Sequence, residues 1–108
     1  MKTLTARKDG DYIVRITGDV DHHATQGLRE TIDRELDSSH PTRLILDLGA
    51  TEFMDSSGLG LILGRLRKTR EMGIELILVD PSDAVMKILR LAGVEKMLDV
   101  RMLKRENA

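Results

Sequence analysis

Residues 43–79 read RLILDLGATEFMDSSGLGLILGRLRKTREMGIELILV, with one short apolar segment on each side of an amphipathic segment. The outer segments, 43–48 and 74–79, have the length and composition of buried β-strands. The middle segment has the i, i+3, i+4, i+7 spacing of an amphipathic helix at Leu59, Ile62, Leu63 and Leu66. Two apolar strands joined through a helix predict neighbouring parallel strands with a right-handed crossover.

The residues before this stretch predict a hairpin and a helix. Residues 3–7 and 12–16 favour strands, and Asp9-Gly10 between them is typical of a two-residue turn, since glycine tolerates a positive φ. The helix that follows ends within 38–42, around Pro41, and has apolar residues four apart on one face at Leu28, Ile32 and Leu36.

The residues after this stretch predict one more helix and a short strand. The helix starts at Pro81-Ser82-Asp83 and stops at Gly93, with an apolar face formed by Val85, Ile88, Leu89 and Ala92. Residues 97–100 favour an edge strand. The order of elements, a β-hairpin and then alternating helices and strands, predicts a single α/β domain over residues 1–108. We expect a mixed, mainly parallel sheet with helices packed against it.

The composition disfavours several classes of function. The 108 residues include 17 Lys and Arg against 18 Asp and Glu, so no broad basic field is available to bind a nucleic acid. Aromatic residues make up 2% of the chain, which is too few for a base-stacking platform, and there is no Cys. No apolar run approaches the roughly 20 residues of a transmembrane helix. We therefore expect a cytoplasmic protein without a membrane or nucleic-acid partner.

The candidate functional segment joins the first apolar strand to the glycine-rich helix and reads FMDSSGLG at 53–60. In open α/β sheets, functional residues collect in the loops past the carboxyl ends of the strands. One interpretation of the small polar residues is a structural N-cap. The other is a regulated hydroxyl. A phosphate on Ser57 would meet the helix N-terminus and would add about −1.5 to −2 charges beside Asp55. The residues alone leave both interpretations open.

Three other chemistries fit this segment poorly. Gly58, Gly60 and Gly64 do not match G-x-G-x-x-G, and no Lys-Ser or Lys-Thr follows as in a P-loop. Asp55 stands where G-x-S-x-G needs its first glycine, and no His and acid are evident as partners for a hydrolase. Asp47 ends a strand as in an aspartyl-phosphate receiver, but the rest of that pattern is not convincing.

Two further sets of residues lie outside the motif. A polar cluster precedes the first helix and consists of Asp19, Asp21, His22 and His23. Such side chains bind metals, but consecutive side chains diverge, so a polar loop with Asp21 near the helix cap is favoured over a metal site. Leu61 and Met86 lie off the predicted apolar faces. They are either ordinary surface residues or part of a patch that binds a partner.

Two segments of the chain resemble a known family. They are TGDVDHH at 17–23 and FMDSSGLG at 53–60, and the second continues as ILGR at 62–65. Both are similar to the anti-sigma factor antagonists, which are STAS-domain proteins, and in particular to those of the sporulation sigma-F pathway. The resemblance covers nearly the whole chain. The DSSGLG segment is its most specific part, and the DHH segment supports the sporulation assignment.

The resemblance implies a switch without enzymatic activity. In this family the unphosphorylated antagonist binds a dimeric anti-sigma factor and displaces the sigma factor. The anti-sigma factor is also an ATP-dependent serine kinase that phosphorylates the second serine of the motif, here Ser57, and a serine phosphatase reverses this. We expect no metal, cofactor or catalytic residue, and a partner-binding surface composed of Asp21, Asp55, Ser56, Ser57, Gly58, Leu59, Gly60 and Leu61. The alternatives are a nucleotide-binding STAS domain and a STAS scaffold within a stress-signalling complex.

Overall fold

The computed structural model describes residues 1–104, so residues 105–108 of the predicted domain lie outside the described part. The order of strands in the five-stranded sheet is the order of the chain, β1-β2-β3-β4-β5. The strands are β1 (Lys2–Lys8), β2 (Asp11–Thr17), β3 (Arg43–Ala50), β4 (Glu75–Val79) and β5 (Asp99–Arg101). β1 is antiparallel to β2, and each later strand is parallel to the one before it. The predicted mixed, mainly parallel sheet is confirmed.

The N-terminal hairpin turns at Asp9 and Gly10. Lys8 pairs with Asp11, which leaves a two-residue connection between the strands. The φ angles of Asp9 and Gly10 are +52° and +85°, in the left-handed region that aspartate and glycine adopt more readily than other residues. Positive φ at both positions is what the turn of a tight hairpin requires. The hairpin prediction is therefore confirmed, with its turn chemistry.

Three helices connect the parallel strands: α1 (His22–Ser39), α2 (Ser56–Met72) and α3 (Asp83–Leu91). Right-handed crossovers between strands added in one direction place all three helices on one face of the sheet. The strands contribute alternate residues to a shared core, namely Tyr12, Val14, Ile16, Leu44, Leu46 and Leu48. The helices contribute Leu28, Ile32, Leu36, Leu61, Ile62, Leu66, Val85 and Leu89. Within residues 1–104, no helix has the length and apolarity needed to cross a membrane.

Several boundaries differ from the prediction. The polar loop predicted over residues 18–23 ends two residues earlier, at Asp21, because Asp21 caps α1 and the helix begins at His22. Ala92 is exposed and follows the last residue of α3, so the prediction that it belongs to the apolar face of this helix is wrong. The predicted edge strand is present as β5, after a short 3₁₀ turn at Glu95–Met97. A single 3₁₀ turn is too short to produce a periodic pattern in the sequence, which explains why the strand starts two residues later than predicted.

The buried face of α2 also differs from the predicted one. It begins at Gly58 and consists of Gly58, Leu61, Ile62, Arg65, Leu66 and Thr69. Leu59 and Leu63 are only half-buried. The prediction that Leu61 lies on the outside is wrong, because its side chain is 1% exposed. Half of this face consists of glycine, arginine and threonine, which apolar periodicity cannot detect. The arginine is buried because α2 also packs on α1, where Arg65 Nε lies 2.9 Å from Asp33 Oδ1.

Candidate functional site

The candidate site lies at the carboxyl end of the sheet, where the segments before α1 and α2 are tied together. Val20 and Met54 form an isolated parallel bridge. The Val20 amide donates to the Phe53 carbonyl at 3.1 Å, and the Asp55 amide donates to the Val20 carbonyl at 3.4 Å. From the side of α3, the Ser82 hydroxyl donates to the Glu52 carbonyl at 3.0 Å. The loop that precedes α2 is therefore fixed by contacts from both neighbouring helix starts.

Asp55 is the N-cap of α2. Its Oδ1 accepts hydrogen bonds from the Ser57 amide at 2.8 Å and from the Gly58 amide at 3.3 Å. The same oxygen accepts a short hydrogen bond from the Ser57 hydroxyl. These bonds, that of the Ser57 hydroxyl first, lower the pKa of Asp55, so the carboxylate is ionised at neutral pH. The structural-cap interpretation of the motif is confirmed, and the cap also holds the hydroxyl of the candidate phosphorylation site.

Ser57 is half-buried in the first turn of α2, and Ser56 beside it is exposed. A phosphate on Ser57 would lie among the N–H groups of a helix start, which favour an anion. It would also compete with the Asp55 carboxylate for those same groups. Within the described residues, the side-chain hydrogen bond of Ser57 goes to Asp55, and no histidine takes part in it. The arrangement presents the Ser57 hydroxyl at a helix start, with the Asp55 carboxylate as its hydrogen-bond partner.

Asp21 is the N-cap of α1, with its Oδ1 2.9 Å from the Ala24 amide. Its side chain is exposed, as are His22 and His23 beside it. Because the Val20–Met54 bridge joins the two loops, Asp21 lies on the same edge of the sheet as Asp55 and Ser57. Residues 1–104 contain no group of three or more His, Cys, Asp or Glu side chains arranged to hold a metal ion.

The two glycines of the motif have different surroundings. A Cβ on Gly58 would lie 2.7 Å from the Cβ of Met54, so this glycine is required by packing inside the protein. A Cβ on Gly60 would meet nothing within 4 Å, and Gly60 is exposed. Leu61 is 1% exposed, which leaves almost no surface for direct contact with a partner. The candidate surface is therefore limited to Asp21, Asp55, Ser56, Ser57, Leu59 and Gly60.

The sequence-based site omits Phe53, whose residue surface is 51% exposed. Met54, the next residue, is 1% exposed and packs in the core. Neighbouring side chains in an extended segment point to opposite sides, so a buried Met54 implies an outward Phe53. The sequence did offer one signal for Phe53, because it stands next to the DSSG residues and is one of only two aromatic residues in the chain, one Phe and one Tyr.

The fold and this loop define the class of protein. The family model of the STAS domain matches residues 2–106, and the chain belongs to the STAS-domain family. Within that family it groups with the anti-sigma factor antagonists. It is 34% identical over 91 residues to the anti-sigma F factor antagonist of Paenibacillus polymyxa, which covers 84% of this chain and 78% of the relative. It is 35% identical over 82 residues to that of Lysinibacillus sphaericus, covering 76% and 70%.

Solved structures agree with this assignment. The anti-sigma factor antagonist SpoIIAA in its unphosphorylated form superimposes with a TM-score of 0.82 and 29% identity, over 92% of this chain and 87% of that chain. The Bacillus cell fate determinant SpoIIAA in its phosphorylated form superimposes with a TM-score of 0.76 and 28% identity, over 92% and 90%.

Proposed function

We propose that this protein is an anti-sigma factor antagonist that is switched by phosphorylation of Ser57. In this proposal the unphosphorylated form binds an anti-sigma factor and so releases a sigma factor. The observation that supports it most directly is the Ser57 hydroxyl, presented at the start of α2 and hydrogen-bonded to the Asp55 carboxylate. The relatives named anti-sigma F factor antagonists support the choice of partner.

The local electrostatics explain how a phosphate would act as a switch. The modification replaces a hydroxyl that donates to Asp55 with a group of about −1.5 to −2 charges. The two anions must then share the Ser57 and Gly58 amides that Asp55 now occupies. A partner packed on this surface would face a desolvated and poorly paired charge, which commonly costs on the order of 2–5 kcal/mol of binding. That corresponds to roughly a 30- to 5,000-fold loss of affinity.

The proposal assigns no catalytic role to this chain. The phosphoryl group comes from ATP through the anti-sigma factor, which acts as a dimeric serine kinase, and a serine phosphatase restores the hydroxyl. The anti-sigma factor binds a sigma factor, which is a component of transcription, so the proposal includes a cytoplasmic location. Neither a metal nor a cofactor is required, because the chain supplies only a binding surface and an acceptor hydroxyl.

The test is intact-mass spectrometry after incubation with an anti-sigma F factor and ATP. The anti-sigma F factor of Paenibacillus polymyxa serves as the kinase, with the antagonist of that species as the positive control. We expect one added phosphate on the wild type and on Ser56→Ala, and none on Ser57→Ala. Ser56 is the matched control because it is the adjacent and more exposed hydroxyl. An unmodified wild type beside a modified positive control contradicts the proposal, as does a modified Ser57→Ala.

A further inference from the structure

Phe53 is an exposed aromatic side chain on a rigid backbone. Its carbonyl accepts a hydrogen bond from the Val20 amide at 3.1 Å, and the preceding carbonyl, of Glu52, accepts one from Ser82 at 3.0 Å. On its other side Met54 is fixed in the core. The ring therefore extends from a segment that is held on both sides. A rigid aromatic side chain loses little conformational entropy when it binds, which favours its use as an anchor.

The loops around Phe53 are strongly acidic. The segments 17–24, 49–58 and 80–84 form the carboxyl-end edge of the sheet and contain no Lys or Arg. We define the acidic rim as their solvent-accessible carboxylates, Asp19, Asp21, Glu52, Asp55 and Asp83. Asp80 is excluded because it is buried and accepts hydrogen bonds from the Leu103 and Lys104 amides. Among residues 1–104, Lys104 does bring a cation to these loops, 2.7 Å from the Gly49 carbonyl.

The acidity of this edge differs from the charge of the chain as a whole. The whole chain has a formal net charge of -1, with 17 basic and 18 acidic side chains, so the surplus of acid at this edge is balanced by cations elsewhere. An exposed ring on an edge that carries exposed carboxylates fits a protein interface, in which an apolar anchor occupies the centre and charged groups the rim. The complement of such a surface is an apolar pocket with Lys and Arg around its mouth.

We propose that Phe53 is the central anchor of the interface with the anti-sigma factor, and that it enters an apolar pocket with a basic rim. This inference rests on the proposed function. Ser57 lies four residues further along the chain, on the same edge of the sheet.

The experiment measures the dissociation constant of the unphosphorylated protein for the Paenibacillus polymyxa anti-sigma F factor by calorimetry. We expect Phe53→Ala to weaken binding by about 30-fold or more, as for a hot-spot aromatic residue. Phe53→Leu retains much of the apolar volume, so its affinity should fall by much less than that of Phe53→Ala. The matched control is Leu91→Ala, which removes a 78% exposed apolar side chain at the end of α3 and should leave the affinity unchanged.

A second measurement tests the basic rim. The association rate of the wild type should fall steeply as the NaCl concentration rises, because exposed complementary charges steer the encounter and salt screens them. Glu52→Gln should reduce that salt dependence while leaving the thermal midpoint unchanged, since the Glu52 side chain is exposed.

The outcomes separate this inference from the proposed function. If the wild type binds and Phe53→Ala binds equally well, Phe53 is not an anchor and the inference is overturned. An association rate that does not depend on salt concentration contradicts the proposal that the pocket of the partner has a basic rim. If the wild type does not bind while the Paenibacillus polymyxa antagonist does, the proposed function fails as well. If Phe53→Ala lowers the thermal midpoint, its loss of binding could reflect unfolding, and Phe53→Leu then provides the test. Phe53→Leu should be folded, and an anchor role predicts that it binds nearly as tightly as the wild type because it retains most of the apolar volume.

Discussion

At position 58 a methyl group would lie 2.7 Å from the Cβ of Met54, and at position 60 it would meet nothing within 4 Å. Two glycines of one motif therefore serve different purposes. Gly58 lets the start of α2 pack directly on the loop that carries Phe53, and so it determines the position of the candidate site. No internal packing requires a glycine at position 60, and a glycine at an exposed helix position lowers the stability of the helix.

We predict opposite effects on stability for alanine at these two glycines. Gly58→Ala should lower the free energy of unfolding by about 1–3 kcal/mol, since the Met54 Cβ is close to the backbone and cannot move freely. Gly60→Ala should raise it by about 0.5–1 kcal/mol, because alanine is the better helix former. Chemical denaturation of both variants checks this. A destabilised Gly60→Ala, or a stabilised Gly58→Ala, would contradict the assigned roles.

The Gly60 variant also reports on the surface. If a partner approaches α2 closely at this point, Gly60→Ala will be more stable and yet bind the anti-sigma factor less tightly.

At the residue scale, the sequence named Ser57 and Asp55 as candidate site residues and omitted the exposed Phe53. Ser57 and Asp55 could be found because their types and spacing match both an N-cap and a family motif. Phe53 could not be found by periodicity, since a single residue in a loop belongs to no repeat. Its exposure follows from the burial of Met54 and from the hydrogen bonds of the Val20–Met54 bridge, which join segments more than 30 residues apart.

The start of α1 combines a structural and a proposed functional role in one side chain. Asp21 caps the helix through the Ala24 amide, and its carboxylate is also exposed on the edge that carries Ser57. Replacing it with alanine removes both roles at once, so a loss of binding could not be attributed to contact with a partner. An asparagine retains an oxygen that can cap the helix and removes only the charge.

We predict that Asp21→Asn and Asp21→Ala separate these roles. Asp21→Ala should lower the free energy of unfolding by about 1 kcal/mol through the lost cap, and Asp21→Asn should leave it nearly unchanged. Both should weaken the anti-sigma factor complex, since the exposed charge is absent from each. Thermal unfolding and calorimetric titration of the two variants check this. Binding of Asp21→Asn at wild-type strength would remove Asp21 from the proposed surface.

At the element scale, apolar spacing together with the turn and cap residues identified the three α-helices and five strands of the described chain, but it missed the 3₁₀ turn and misplaced the buried face of α2. The periodicity of leucine and isoleucine indicates where a helix meets a sheet. It does not indicate where a helix meets another helix through polar groups. The burial of Arg65 depends on Asp33 in α1, a contact that leaves no signal in the local sequence of α2. Thr69 can be buried because its hydroxyl is satisfied within the helix, where it donates to the Arg65 carbonyl at 2.7 Å.

At the scale of the whole molecule, the candidate site is a product of topology. Parallel strands bring the starts of α1, α2 and α3 to one edge of the sheet. The order of elements was predictable, because a strand–helix–strand repeat has few solutions. The contacts that tie the loops together were not predictable, since the Val20–Met54 bridge and the Ser82–Glu52 hydrogen bond depend on the twist and spacing of the finished sheet.

We predict that the isolated protein does not bind ATP or GTP. The loop before α2 has its helix-start amides already occupied by Asp55, and no lysine in segment 49–58 could pair with phosphates. Calorimetric titration to about 1 mM nucleotide, a range in which weak binding would be detected, should give no binding heat and no rise in the thermal midpoint. Saturable heat would favour the nucleotide-binding alternative. The anti-sigma factor, titrated in the same buffer, is the positive control.

The strand order has a consequence for biosynthesis. Because each strand pairs with the one that precedes it in the chain, the sheet can grow from its N-terminal hairpin as the polypeptide leaves the ribosome. Every new strand finds an edge already formed, and no early strand has to wait for a distant partner. The loop before α2 is the exception, since the contact of its Glu52 carbonyl with Ser82 forms only after the start of α3 has emerged. A nascent chain can therefore pair β1 to β4 before the loop that precedes α2 gains its hydrogen bond from Ser82, and β5 completes the sheet afterwards.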